Sequence, residues 1–267
     1  MAMSDCCMFN YRERDFRIMG VSTKDYIYRK IREYSGFYEL DLLLYIESCF
    51  PHGVEVCIDV GANIGNHSVY FGNFICKDLI AIEVNPMVTP VLRKNLSMNL
   101  DSFTLYETAV GMKKSRGRLK NPVNVMSALG MVSVVAESGG DVEISTLDAL
   151  YSTWCEQKET PNKHISFVKL DIEGMELDAL KGASQLLAKD HPDLFIEAAN
   201  ATAYRALVDY LSQFQYSAIN SHAITPVYHF KYRASAWASL THATLHKLGF
   251  YYFRSRSFSF ISRMRRR

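Results

Sequence analysis

Paired cysteines, long apolar stretches and C-terminal acids are what this chain lacks. Its six cysteines (Cys6, Cys7, Cys49, Cys57, Cys76, Cys155) form no C-x-x-C pair and no zinc-finger spacing. That excludes a disulfide-stapled secreted fold and a zinc module, and predicts reduced, mostly buried thiols in a cytoplasmic protein. No apolar run reaches the roughly 20 residues that a membrane-spanning helix needs. Met1 to Arg17 mixes charges around no long apolar core, so no signal peptide is expected. No acid follows Asp209. Residues 1–209 hold 21 Lys and Arg against 28 Asp and Glu, a net charge of −7. Residues 210–267 hold 9 Lys and Arg and no acid, a net charge of +9. An acidic body disfavours a nucleic-acid substrate, and a basic tail predicts contact with something anionic.

The 267 residues, 48% of them apolar, support one sizeable domain with an ordinary core. Residues 1–35 read as a polar, partly helical lead-in, and Glu39 to Phe50 as a helix. Strands and helices then alternate: strand 54–59, helix 66–75, strand 79–83, helix 87–99, strand 102–106. This order argues a parallel, doubly wound sheet of the α/β class. Five glycines interrupt the rhythm over 111–145 (Gly111, Gly117, Gly130, Gly139, Gly140), which predicts an inserted hairpin or lid near the site. The rhythm resumes with strand Ile165–Leu170, helix Glu173–Ala188, strand Leu194–Glu197 and helix Ala203–Phe214. Strands Tyr216–Asn220 and Val227–Phe230 close the sheet. Residues 237–248 have helical spacing. Beyond them, aromatics interleave with arginines up to Arg263–Arg267, which suits an anionic ligand or a membrane surface.

The run Asp59-Val60-Gly61-Ala62-Asn63-Ile64-Gly65-Asn66-His67 joins the first of these strands to a helix. Strand, glycine-rich turn and helix make a nucleotide-cofactor site, because glycine lets the backbone approach a ligand and the helix start offers free N–H groups. A dinucleotide turn needs Gly-x-Gly-x-x-Gly. Here Asn63 and Asn66 replace the second and third glycines, so the pyrophosphate reading weakens. Asp59 at the head of the turn suits a cationic ligand. S-adenosylmethionine carries an ammonium and a sulfonium and no phosphate. Its ribose diol needs an acceptor, and Glu83 lies about 20 residues beyond the turn, the usual spacing for a ribose acid.

A second motif, Lys169-Leu170-Asp171-Ile172-Glu173-Gly174-Met175-Glu176, follows the fourth main strand. Ligands of open parallel sheets bind beyond the carboxyl ends of the strands. Asp59, Glu83, Asp171 and Glu197 all sit at such ends and are expected to converge on one crevice.

Together these segments resemble the FkbM family of S-adenosylmethionine-dependent methyltransferases. The resemblance runs from about Tyr38 to Phe230. Its strongest parts are Ile58–Ser68, Glu83-Val84-Asn85-Pro86, Thr146–Leu150 and Lys169–Ala183. It implies a class I methyltransferase (Rossmann-like) fold spanning 38–231, after a lead-in (1–37) and before a basic aromatic tail (232–267). It also implies O-methylation of sugars in surface polysaccharides or of metabolite hydroxyls. Carried across, Asp59, Gly61, Asn63 and Gly65 line the methionine part of the cofactor, with Asn66 opening the helix beside them. Glu83 holds the ribose, and Val84 and Ala109 flank the adenine. Val84 stands where the family often has Pro, and Met175 where it often has Ala. Asp148 recurs in the family without an evident mechanism.

A sugar hydroxyl is a poor nucleophile unless its proton leaves as attack develops. Asp171 is the expected base by position, Glu173 its assistant or a sugar ligand, and His67 the alternative base. A divalent metal between Asp171 and Glu197 is the alternative to direct base catalysis, although no His or Cys spacing supports a metal site. Acids also favour helix starts for structural reasons alone, which is the competing account of Asp171 and Glu173. The competing functions are a nucleic-acid methyltransferase and a non-catalytic cofactor-binding scaffold. No base-methylating tetrapeptide such as Asn-Pro-Pro-Tyr follows the fourth strand. The expected partner is a hydroxyl-bearing glycan, nucleotide-linked or lipid-linked sugar. The expected location is the cytoplasm, with the tail at the inner membrane face.

Overall fold

A computed structural model describes residues 6–120, 133–159, 163–222 and 226–233. The expected C-terminal helix and the basic run to Arg267 lie outside the described residues. The chain opens with an antiparallel hairpin, β1 (Cys7–Tyr11) and β2 (Arg14–Ile18), followed by α1 (Tyr26–Tyr34) and α2 (Leu40–Cys49). Asp25 caps α1 by accepting from the Tyr28 N–H. The lead-in therefore differs from a polar, partly helical segment. Exposed residues alternate with Phe9 and Phe16 along the two strands, and Phe9, Phe16 and Ile18 join Phe37 and Phe71 in the core. Phe9 and Phe16 pair across the hairpin and stack with centroids 5.5 Å apart.

The central elements follow as β3 (Val54–Val60), α3 (Asn66–Phe74), β4 (Cys76–Ile82), α4 (Thr89–Asn99) and β5 (Thr104–Tyr106). Then come β6 (Ala109–Val110), β7 (Ser115–Lys120), β8 (Ser133–Ala136), β9 (Val142–Ser145), α5 (Leu147–Gln157) and β10 (Ile165–Leu170). The rest is α6 (Glu176–Lys181), α7 (Ser184–Lys189), β11 (Asp193–Glu197), α8 (Ala201–Ser212), β12 (Tyr216–His222) and β13 (Val227–Tyr232).

Seven strands form one sheet in the order β12-β13-β11-β10-β3-β4-β5. Strands β5, β4, β3, β10 and β11 run parallel, and β13 is antiparallel to both its neighbours. This is the α/β, doubly wound arrangement expected of a class I methyltransferase. The inner strands are almost continuously apolar because helices cover both faces. Alternate residues go to opposite sides. Cys57, Leu79, Phe167 and Phe195 join the hairpin and α2–α4 in one core, whereas Ile58, Ile80, Val168 and Leu194 pack with α5–α8 in the other. Strand order reverses between β3 and β10, and a ligand crevice forms at the carboxyl ends on either side of such a point.

The expected hairpin in 111–145 is β7–β8, joined with β6 and β9 into a four-stranded sheet of its own; residues 121–132 between its strands lie outside the described ones. The expected helix 173–188 is two, α6 and α7. They break at Gly182, where a Cβ would come 2.2 Å from the Gly111 carbonyl oxygen. That close approach ties the inserted sheet to the body.

Candidate active site

A cavity of about 380 Å³ opens along the carboxyl ends of β4, β3, β10 and β11. Gly61, Asn63, Asn66, His67, Glu83 and Val84 line it, as do Ala109, Asp171 and Glu173. So nine of the eleven residues expected in the site are brought together. Asp59 and Gly65 are not on its wall. Gly65 sits at the start of α3 with φ 90°, packed against Leu92. Asp59 is fully buried beneath the turn, where its Oδ2 accepts from Ser68 Oγ at 2.5 Å and its Oδ1 faces the Lys169 ammonium at 3.7 Å. It reaches the cavity only through Lys169, because β3 turns its side chain into the body.

Gly61 makes the crevice possible. Its φ is +78°, and a Cβ there would lie 1.8 Å from the Asp171 carbonyl oxygen. The two ligand turns thus touch backbone to backbone, and Asp171 N–H donates to the Val60 carbonyl at 3.1 Å.

On the β4 side, Glu83 collects three backbone N–H groups. Oε2 accepts from Asn63, and Oε1 from Val84 and Asn85, each at 2.9 Å. Burial raises the Glu83 carboxyl above its ordinary value against the pull of those donors. Asn63 holds the turn in a left-handed conformation, φ 49°, with its own Oδ1 on the Ile64 N–H. Val84 packs with Ala109, Val134 and Met175 in a small apolar cluster. Asn66 lines the cavity, but its amide is committed at both atoms to the Tyr38 backbone. It fixes the Tyr38–Glu39 loop on the far wall.

On the β10–β11 side lies a chain of charges that the sequence reading named only in part. Lys169 is 1% exposed, and its Nζ lies 3.2 Å from Asp171 Oδ2. Burial presses the ammonium toward neutrality, but Asp171 and Asp59 outweigh it and hold the Lys169 pKa above the usual value. Burial likewise works to raise Asp171, and Lys169, Glu197 and His67 bring its pKa below the ordinary range. The remaining 32% exposure of the Asp171 side chain is toward the cavity. Glu197, at the end of β11, is pushed up to about 9 by burial, by the Asp171 charge and by a hydrogen bond to it. At neutral pH Asp171 is therefore a carboxylate and Glu197 the acid that donates to it. Glu173 has φ 54°, and burial with the Asp171 charge raises its pKa. Glu176 folds back to accept from the Ile172 and Gly174 N–H groups and so secures this turn.

His67, in the first turn of α3, puts Nε2 3.3 Å from Glu39 Oε2. Lys169, Glu39 and Asp25 are thus the charged cavity residues to which the sequence reading assigned no place in the site, whereas Glu197 lies in the crevice as its strand-end position predicts. A lysine inside an apolar strand is the signal that pointed to the first. Asp148 has a structural explanation: its carboxylate accepts from the Gln185 and Leu186 N–H groups at the start of α7. Among the described residues, no group of three or more His, Cys, Asp or Glu side chains is arranged to hold a metal ion.

S-adenosylmethionine fits this arrangement. Glu83 gives a carboxylate for a diol, Val84 and Ala109 an apolar wall, and Gly61 a turn without side chains.

Comparison with known sequences agrees. The sequence profile of the Methyltransferase FkbM domain matches residues 59–218. The chain belongs to the FkbM methyltransferase family. The matched domain is that of an S-adenosylmethionine-dependent methyltransferase. Among curated proteins, the chain is 29% identical over 136 residues to the hexuronic acid methyltransferase AglP of Haloferax volcanii, covering 50% of this chain and 52% of AglP. It thus spans about half the length of that relative. Among solved structures, Methyltransferase FkbM from Methylobacillus flagellatus KT matches at TM-score 0.46 and 18% identity, over 67% of this chain and 44% of that one. Magnesium protoporphyrin IX methyltransferase (ChlM) from Synechocystis PCC 6803, with bound SAM, matches at TM-score 0.40 and 10% identity, over 72% and 76%.

Proposed function

We propose that this FkbM protein methylates a sugar hydroxyl of a glycan, surface polysaccharide, or nucleotide-linked or lipid-linked sugar. The observation that carries the reading is the division of the cavity. Glu83, Val84 and Ala109 stand on the β4 side of Gly61, and Asp171, Glu173 and Glu197 on the other. The likeness to a hexuronic acid methyltransferase supports a sugar acceptor. Residues 38–231 form the methyltransferase domain in this reading, and the lead-in adds Tyr26 and Ile27 to the acceptor wall.

Glu83 accepts from the ribose hydroxyls, Val84 and Ala109 flank the adenine, and Gly61 and Asn63 border the methionine part. When bound, S-adenosylmethionine supplies an electrophilic methyl group on a good leaving group. Asp171 accepts the hydrogen bond of the acceptor hydroxyl and takes its proton as the new bond develops. Lys169 keeps Asp171 ionised for that task, and Glu197 orients it. Glu173 holds a neighbouring sugar hydroxyl. Much of the catalysis is alignment, because the leaving group needs no activation.

Asp171→Asn is expected to lower turnover by about 10²–10⁴-fold while leaving S-adenosylmethionine affinity within about threefold. Wild-type turnover in that variant sinks the assignment. His67 is a specific second reading, since its Nε2 is buried without a hydrogen-bond partner among the described residues and faces Glu39. Loss of turnover in His67→Gln but not in Asp171→Asn would transfer the role to it.

A further inference from the structure

The charges around the acceptor half of the cavity bear on what can enter it. Six carboxyl groups line the cavity: Asp25, Glu39, Glu83, Asp171, Glu173 and Glu197. Two are occupied by backbone donors, Asp25 by Val21 and Tyr28, and Glu83 by three N–H groups. The other four belong to the acceptor half. Among the described lining residues, Lys169 is the only lysine or arginine, and it lies buried between Asp59 and Asp171. The internal stretches outside the described residues, 121–132, 160–162 and 223–225, contain no Lys or Arg in their sequences. A polar atom also waits in this half. His67 is 9% exposed, lines the cavity, and its Nε2 has no hydrogen-bond partner among the described residues.

We propose that the acceptor carries no anionic group beside its reacting hydroxyl. It is a neutral or amine-bearing sugar, whose hydroxyl and amine donors meet Glu39, Asp171, Glu173, Glu197 and His67. This deepens the sugar-methyltransferase reading and rests on it.

Carboxylates only accept hydrogen bonds when ionised, and a vicinal diol offers two donors to one carboxylate. An ammonium would add a charge-assisted bond. A ring carboxylate, phosphate or sulfate would instead face the ionised Asp171 with no lysine or arginine free among the described lining residues to answer it, and like charges brought together in an interface are strongly disfavoured. The crowding is already visible: Asp171 helps to raise both Glu173 and Glu197. The inference thus separates this chain's acceptor from the hexuronic acid named for AglP.

The test uses the full-length protein, tritiated S-adenosylmethionine, and glycans and sugar-lipids extracted from host cells in which the gene is deleted. One portion is left intact. In the other, uronic carboxylates are reduced to primary alcohols by carbodiimide activation and borohydride. Transfer is expected to be equal or greater after reduction, with the label recovered in neutral or amino sugars after hydrolysis. An added glucuronic acid-terminated oligosaccharide should be at least about a hundredfold poorer acceptor than its glucose-terminated counterpart. Loss of transfer on reduction by tenfold or more, or label in a uronic acid, overturns the inference and leaves the sugar-methyltransferase reading standing. Transfer to neither portion overturns that reading, and the inference falls with it.

Discussion

Replacing Lys169 by Met tests the electrostatic construction of the site. The substitution keeps the volume of a side chain that is 1% exposed and removes its charge. Two carboxylates lose their partner, at 3.2 Å for Asp171 and 3.7 Å for Asp59. At an effective dielectric of about 20, each attraction is of order 5 kcal/mol before desolvation is subtracted. Breaking a buried ion pair from one side typically costs about 3–5 kcal/mol, and that is the expected loss of stability at pH 7. The loss should depend on pH in a definite direction. In the wild type, Asp171 has a depressed pKa, so its contribution is present above the ordinary carboxylate value and disappears as pH falls through the folded one. In the variant, Asp171 without its lysine takes up a proton at higher pH, which relieves the strain as pH falls. Both effects narrow the gap toward acid. Urea unfolding followed by circular dichroism at pH 7, 5.5 and 4 measures it. A gap below about 1 kcal/mol at pH 7, or one that stays constant with pH, refutes the reasoning.

Glu197→Gln has the opposite sign. The folded carboxyl titrates near 9 against an ordinary 4.5, so its favourable contribution is complete below 4.5 and is lost as pH rises toward 9. The variant should gain more than about 1 kcal/mol on the wild type between pH 4.5 and 8, read by thermal unfolding at both values; no gain means that the acid pair does not share a proton. Asp148→Ala should cost about 0.5–2 kcal/mol of stability by uncapping α7, with S-adenosylmethionine affinity unchanged; a large loss of affinity in calorimetry would give Asp148 a role in the site.

The β3 turn was legible in the sequence because its demands are local. Gly61 must be glycine where two turns meet, and an apolar strand before it leaves little choice of fold. Strand Ile165–Leu170 was legible to the residue, since burial on both faces leaves a run that is apolar apart from Ser166 and Lys169. Spacing along the chain pointed to Glu83, which the structure brings to the cavity wall. The lead-in hairpin was not found, because Arg12, Arg14 and Arg17 hide a pairing whose apolar half, Phe9 with Phe16, is visible only across the turn. The break between α6 and α7 depends on Gly111, some 70 residues away from Gly182, and no local period records it. Asp59 was placed on the cavity wall because strand-end acids generally face ligand. Its side chain instead turns inward to Ser68 and Lys169, and Lys169 carries its charge to the site. Asn66 was read as a cofactor contact because it opens a helix, but its amide is used by Tyr38.

The most direct test of the account is titration calorimetry of S-adenosylmethionine and S-adenosylhomocysteine into the wild type and Glu83→Ala, with NAD as control. The account predicts micromolar binding of both sulfur cofactors, none of NAD, and a loss of at least about tenfold in the variant, as expected when charged hydrogen-bond partners of a ribose are removed. Equal affinity in the folded variant, or preference for NAD, would contradict the assignment of this cavity.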